Sequence, residues 1–276
     1  MYLHLRKHYY SAFIVIAFLV LVGGVFYFGS RKSAPEIVSR TTVDTTATST
    51  GEETGKPELE TIPPEEDIKR LPPPYTGQPI RELGNPDILA SIGAAYVERY
   101  QKDLNSIANR IEKGSRDHVD WLTVAYIKKL FSNYIGTRDA WEYAKIVNPE
   151  DAVAYFNLGE LYGYEFKEPA KAEENYLSAL RLNPYHLDYY IGLANFYEDV
   201  PKDLKKAEGV LLSALDKIPH TEPNLFAQIG AFYRDQKNYT KAIEYFEKAL
   251  NSAGAASDPG IKKAIQNEID YIRSKQ

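Results

Sequence analysis

Residues 152–184 read AVAYFNLGELYGYEFKEPAKAEENYLSALRLNP, and the pattern in them is written three times. Tyr155-x2-Leu158-Gly159-x2-Tyr162 is followed by Ala172-x3-Tyr176-x2-Ala179-Leu180 and closed by Pro184. It returns as Tyr190-x2-Leu193-Ala194-x2-Tyr197, Ala207-x3-Leu211-x2-Ala214-Leu215 and Pro219. The third pass is Phe226-x2-Ile229-Gly230-x2-Tyr233 and Ala242-x3-Phe246-x2-Ala249-Leu250, with no closing proline. The first half places its marked residues at i, i+3, i+4 and i+7 and the second at i, i+4, i+7 and i+8, each the apolar stripe of one helix. Gly or Ala at the small positions leaves no bulk between two antiparallel helices, and the large Tyr and Leu side chains fill the adjoining gaps. Pro184 and Pro219 cannot continue a helix and end each unit where the next begins. A period of about 35 residues predicts stacked helical hairpins, because one hairpin cannot bury its apolar face alone.

These motifs resemble the tetratricopeptide repeat (TPR) family. The resemblance implies an all-α solenoid of helical hairpins and a binding role, with a protein or peptide partner held on a concave surface lined by the first helix of each repeat. Carried onto this chain, that surface comprises Tyr126 and Lys129; Phe156, Asn157, Glu160 and Tyr164; Asp188, Ile191, Asn195 and Asp199; and Asn224, Gln228 and Arg234. Asparagine and glutamine side chains there can hydrogen-bond an extended peptide backbone, and the aromatics offer pockets. The family's chaperone-binding carboxylate clamp is not expected. Phe156, Ile191, Asn224 and Gln228 stand where its basic residues would be wanted, and only Asn157 and Asn195 agree with it. The acidic residues in the set favour a neutral or basic partner. A solvated face of no binding consequence is the alternative for many of these positions.

Before the three clear repeats, Trp121, Val124, Ala125, Tyr134, Trp141, Ala144 and Pro149 fit the frame loosely, so residues 117–149 are expected to be a fourth, degenerate repeat. Lys128 replaces the aromatic of the family pattern and Thr137 its alanine, which predicts looser packing. Residues 86–113 are expected to form one long amphipathic helix, with Leu89, Ile92, Tyr96, Tyr100, Leu104, Ile107 and Ile111 on one face. Ile261, Ala264, Ile265, Ile269 and Ile272 line a last helix over 260–275 that covers the open end of the stack.

Residues 10–29 are a nearly unbroken apolar run without a charge, flanked by Arg6, Lys7, Arg31 and Lys32. Twenty residues at about 1.5 Å each match a bilayer core, so a transmembrane helix is expected, with a cleaved signal peptide as the competing reading. By the behaviour of N-terminal signal-anchors as a class, the C-terminal domain is expected outside a bacterial cytoplasmic membrane. Basic residues on both flanks leave orientation weakly specified. Residues 30–85 are rich in Thr, Glu and Pro and poor in groups to bury, so a disordered linker is expected there. Within it, Pro72-Pro73-Pro74-Tyr75 has the form of a proline-rich ligand for an aromatic groove, or of a stiff spacer.

Chemistry is constrained by what is missing. There is no cysteine, and the five histidines are scattered. No HExxH, phosphate-binding glycine loop or GxSxG elbow occurs, so no catalytic, metal or cofactor residue is assigned and the chain is not expected to be an enzyme. Asn238-Tyr239-Thr240 has the form of a glycosylation acceptor in a repeat turn. Residues 1–35 carry +4 and the whole chain −5, leaving −9 on the remainder, the wrong sign for binding nucleic acid. The function expected is that of a membrane-anchored interaction adaptor in cell-envelope assembly or protein handling. A structural scaffold that self-associates through its outer face or end caps is the second reading.

Overall fold

A computed structural model describes residues 72–219, 223–252 and 257–276, all within a unit spanning Asp67–Gln276. The expected transmembrane helix and most of the expected linker lie outside the described residues. Among the described residues, no helix is long and apolar enough to cross a membrane.

The elements are helices: α1 Pro86–Ser91, α2 Ala94–Glu112, α3 His118–Leu130, α4 Tyr134–Val147, α5 Ala152–Glu160, α6 Pro169–Leu182, α7 Leu187–Asp199, α8 Leu204–Ser213, α9 Pro223–Asp235, α10 Tyr239–Leu250 and α11 Pro259–Arg273. α5 runs on as a π-helical turn, Leu161–Phe166, and α8 as a 3-10 turn, Ala214–Asp216. Helices α3 to α10 form four consecutive hairpins. The turn inside each hairpin holds one residue in the left-handed region: Ser132, Lys167, Lys202 and Lys237, with φ between 56° and 59° and each 35 residues after the last. This regularity puts the degenerate 118–147 hairpin in the same frame as the other three. Side chains at the helix starts recur as well. Asp117, Asn133, Asp151, Asp203, Asn238 and Asp258 each accept a backbone N–H of the first turn, satisfying donors that the helix cannot. Asn238 therefore serves as a cap.

Small residues sit where large ones arrive from the second helix. A Cβ on Gly159 would meet the Tyr176 ring at 2.8 Å, and one on Gly230 the Phe246 ring at 3.0 Å. In the hairpin between them the matching pair is Ala194 and Leu211, both buried, so a larger small residue accompanies a slimmer partner. The pattern Gly–Tyr, Ala–Leu, Gly–Phe is what close packing at constant volume requires.

Adjacent hairpins are tied by a repeated polar contact. The buried first-helix tyrosines Tyr162, Tyr197 and Tyr233 donate their hydroxyls to Glu142, Glu173 and Glu208 on the second helix of the preceding hairpin, at 2.9, 2.7 and 2.5 Å. Over their rings lie Lys171, Lys206 and Lys241, at 5.1, 5.0 and 4.5 Å from the centroids. Lys206 also donates to Glu173 at 2.7 Å, and Lys241 to Glu208 at 3.4 Å.

Three sequence expectations are corrected. The helix expected over 86–113 is broken at Ile92 and Gly93, where Ile92 is extended (φ −101°, ψ 147°) and Gly93 begins α2. Glycine is a poor helix former, and here it outweighs the apolar periodicity. The expected linker does not reach residue 85, because residues 72–85 dock on the first hairpin. The Tyr75 ring lies against Trp121 (4.6 Å) and Tyr143 (5.3 Å), Tyr143 donates to the Pro73 carbonyl at 2.7 Å, and Leu83 is buried. The proline-tyrosine motif thus has an aromatic groove within its own chain. Third, the degenerate hairpin is not loose. Lys128, standing where its successors have tyrosine, is fully buried and donates to the carbonyls of Pro79 (2.9 Å) and Glu82 (2.5 Å), while Thr137 bonds the Asn133 carbonyl at 2.8 Å. Lysine there substitutes an ammonium, reaching the preceding segment, for a phenol reaching a preceding hairpin.

At the other end Ile265, Ile269 and Ile272 of α11 are buried against α10, Ile261 packs partly, and Ala264 is exposed. Arg273 reaches back to Glu247 at 3.2 Å.

Candidate functional site

The first helices α3, α5, α7 and α9, with the π-helical turn that continues α5, carry the thirteen positions assigned to the partner surface, and side chains on them reach from one hairpin to the next. Lys129 Nζ donates to Glu160 Oε2 at 3.2 Å, Tyr164 Oη to Asp199 Oδ2 at 3.4 Å, and Arg234 Nη1 to Glu268 Oε2 of α11 at 2.5 Å. Arg234 also holds its neighbour Asp235 at 3.0 Å. The basic members are therefore engaged internally, and Lys129 additionally lies 5.5 Å from the Trp141 ring centroid.

Some of the thirteen are chiefly packing groups. The Phe156 ring stacks on Tyr189 (4.9 Å, 28°), meets Tyr176 edge-on (5.6 Å), and occupies the space that a Cβ on Gly192 would enter at 2.5 Å. Burial, then the Tyr96 phenol of α2, push the pKa of Tyr126 up. Asn157, Ile191, Asn195 and Gln228 are half-buried. Asp188 and Asn224 are exposed at the starts of α7 and α9, Asp188 lying 3.9 Å from His186 Nδ1.

The central part of the face is built around Tyr164, which lies in the π-helical turn and not in regular α-helix. A π turn widens the backbone locally and re-aims the side chains on it. Burial, then Asp199 and Glu160, raise the Tyr164 phenol far above its ordinary range, so it stays a neutral donor to Asp199. Beneath it is Tyr176, which sequence reasoning treated only as core. It is 1% exposed, yet among the described residues its hydroxyl has no hydrogen-bond partner. Its place in the repeat predicts burial, but nothing in the sequence signals an unmatched hydroxyl. The glutamates that accept from the first-helix tyrosines were also missed, although Glu173 and Glu208 each directly follow the small residues Ala172 and Ala207. Among the described residues no cluster of metal-ligating side chains occurs.

The family model for the tetratricopeptide repeat matches residues 152–186 and 223–255, so these two hairpins are tetratricopeptide repeats. Over 138 residues, 48% of this chain, the sequence is 26% identical to tetratricopeptide repeat protein 37 of Xenopus laevis, and the match takes in 9% of that protein's length. Among solved structures the chain is similar to MamA, with a TM-score of 0.48 and 16% identity over 59% of this chain and 94% of that one. It is similar to YrrB, described as a TPR protein with an unusual peptide-binding site, with a TM-score of 0.44 and 16% identity over 66% and 88% of the two chains. It is also similar to PilW, described as a type IV pilus biogenesis factor, with a TM-score of 0.45 and 16% identity over 64% and 87%.

Proposed function

We propose that this chain is a non-enzymatic interaction adaptor that holds a neutral or basic peptide, or an extended segment of a protein, along the first-helix face, and that residues 10–29 anchor it in a membrane with the repeat domain on the outer side. The observation that carries the reading is the chemistry of that face. Amide side chains stand at 157, 195 and 228 and carboxylates at 160, 188 and 199, while Lys129 and Arg234 are already paired with Glu160 and Glu268. What remains to meet a partner is acceptor-rich and negative, which suits a peptide backbone and cationic side chains and repels an acidic tail. A role in envelope assembly or protein handling follows from joining such a face to an anchor.

Asn195→Arg and Gln228→Arg test it. Both positions are half-buried, so the variants are expected to fold, and each should abolish co-purification of the partner captured by the wild-type chain. Retained capture would remove this face from consideration.

The scaffold reading has its own observation: Ile146 of α4 and Leu177 of α6 are 49% and 46% exposed on second helices. If that face joins copies of the chain, Ile146→Glu with Leu177→Glu should convert an oligomer to a monomer in light scattering and leave peptide capture intact.

A further inference from the structure

We propose that Glu160, Asp199 and Tyr164, with the Tyr176 hydroxyl beneath them, form a receptor for one cationic side chain, an arginine or lysine of the bound peptide. The proposal rests on the groove reading above and names what the middle of the groove recognises.

Three independent features meet at this point. The first is the orphan hydroxyl. The Tyr176 ring leaves α6 under Gly159, whose Cβ position is 2.8 Å from Cγ, and extends toward Gly192 of α7, whose Cβ position is 3.4 Å from Cε1. The ring therefore crosses between the first helices α5 and α7, and after burial the charges of Glu160, Tyr164 and Asp199 are what raise its phenol. A buried polar group without a partner is costly, and native proteins rarely tolerate one without a use for it. The second is half-used carboxylates. Glu160 Oε2 has Lys129 and Asp199 Oδ2 has Tyr164, but Glu160 Oε1 and Asp199 Oδ1 have no donor among the described residues. Glu160 is paired with Lys129, but Asp199 has only the neutral Tyr164 hydroxyl, and the charge of Glu198 also acts on that phenol, so the site is left net negative. The third is the π-helical turn at 161–166, which occurs in this hairpin alone among the described residues and carries Tyr164. The open acceptors are the two carboxylate oxygens, and the buried Tyr176 phenol oxygen lies behind them. An ammonium offers three N–H donors and a guanidinium five, and both are acceptorless cations matched to such a set.

The test uses the full chain in detergent micelles and a random heptapeptide library displayed on phage. Selected peptides are expected to be enriched in Arg or Lys. Replacing that arginine by citrulline, which keeps the shape and removes the charge, should weaken binding roughly ten- to a hundredfold, as should Glu160→Gln with Asp199→Asn. Tyr176→Phe gives a signature that a packing role cannot: thermal stability rises because an unmatched buried hydroxyl is gone, while peptide affinity falls. Peptides that lack basic residues but are lost on Gln228→Arg would overturn the cation receptor and leave the groove standing. Failure to select any peptide, or binding indifferent to both Asn195→Arg and Gln228→Arg, would overturn the groove and the receptor together. A Tyr176→Phe chain with unchanged affinity, or with lowered stability, would remove Tyr176 from the site.

Discussion

The Tyr197 hydroxyl donates to Glu173 Oε1 at 2.7 Å, across the boundary between two hairpins, and the Lys206 ammonium donates to the same oxygen at 2.7 Å. Apolar burial alone would let neighbouring hairpins slide, because it is not directional. A phenol with one acceptor fixes the register. Tyr197→Phe keeps the ring and deletes the bond, and should cost about 1–2 kcal/mol in urea denaturation, the lower part of the range for a charged acceptor because Glu173 keeps contact with water. Lys206 stays on Glu173 in that variant, so the carboxylate is not left without a partner.

The same contacts set the response to pH. Hydrogen bonds from Lys206 and Tyr197 hold Glu173 below its ordinary 4.5, and the bond from Tyr233, with Lys241, holds Glu208 below it. Groups depressed in the fold stabilise it above their unfolded value, and that contribution is lost as pH falls through the folded one. At the alkaline end, burial raises Tyr100 and Tyr189 from 10.0 to about 12. Raised groups stabilise below pH 10.0, and their contribution disappears as pH climbs toward 12. Lys128 acts in the opposite sense. Burial pushes it from 10.5 down to about 8, so between those values unfolding takes up a proton and stability rises with pH. Denaturation midpoints across pH 7 to 12 should therefore climb above 8 before they fall. Lys128→Met should abolish the climb and also lower stability, because the Pro79 and Glu82 carbonyls lose their donor.

Gly159→Ala should be costly although alanine is the better helix former. The new Cβ would lie 2.8 Å from Cγ of the Tyr176 ring, the end of the side chain that moves least. Overpacking of this kind costs about 1–3 kcal/mol. Gly230→Ala, with its nearest contact at 3.0 Å, should cost less, and calorimetry of the two variants checks the order.

Lys237→Gly should stabilise. Lys237 is exposed and holds φ at 57°, a region disfavoured for residues with a side chain by about 1–2 kcal/mol. Glycine removes that strain and gives back part of it in unfolded-chain entropy, for a net gain of about 0.5–1 kcal/mol, visible as a higher Tm.

Much of this architecture is legible in the sequence. Recurrence of Gly159, Ala194 and Gly230 reports helix–helix packing directly, because only a small residue lets the opposing ring approach. Periodicity fails where one residue has a second allegiance. Leu89, Ile92 and Tyr96 share a stripe, yet Gly93 ends one helix and starts another. Lys128 reads as a flaw in an apolar pattern until the carbonyls of Pro79 and Glu82 are beside it, and those lie more than 40 residues away in sequence. In the candidate site, Glu160, Tyr164 and Asp199 are among the positions the family resemblance assigns, whereas an unmatched hydroxyl on Tyr176 is a property of three-dimensional placement that no spacing encodes.

The most direct test of the adaptor account places a photo-crosslinking amino acid at Asn195 and Gln228 on the first-helix face, and separately at Ile146 and Leu177 on second helices, in chains expressed in native membranes. The account predicts adducts to a distinct partner from 195 and 228 and none from 146 and 177. Adducts only from 146 and 177, or none at all from 195 and 228, would contradict it.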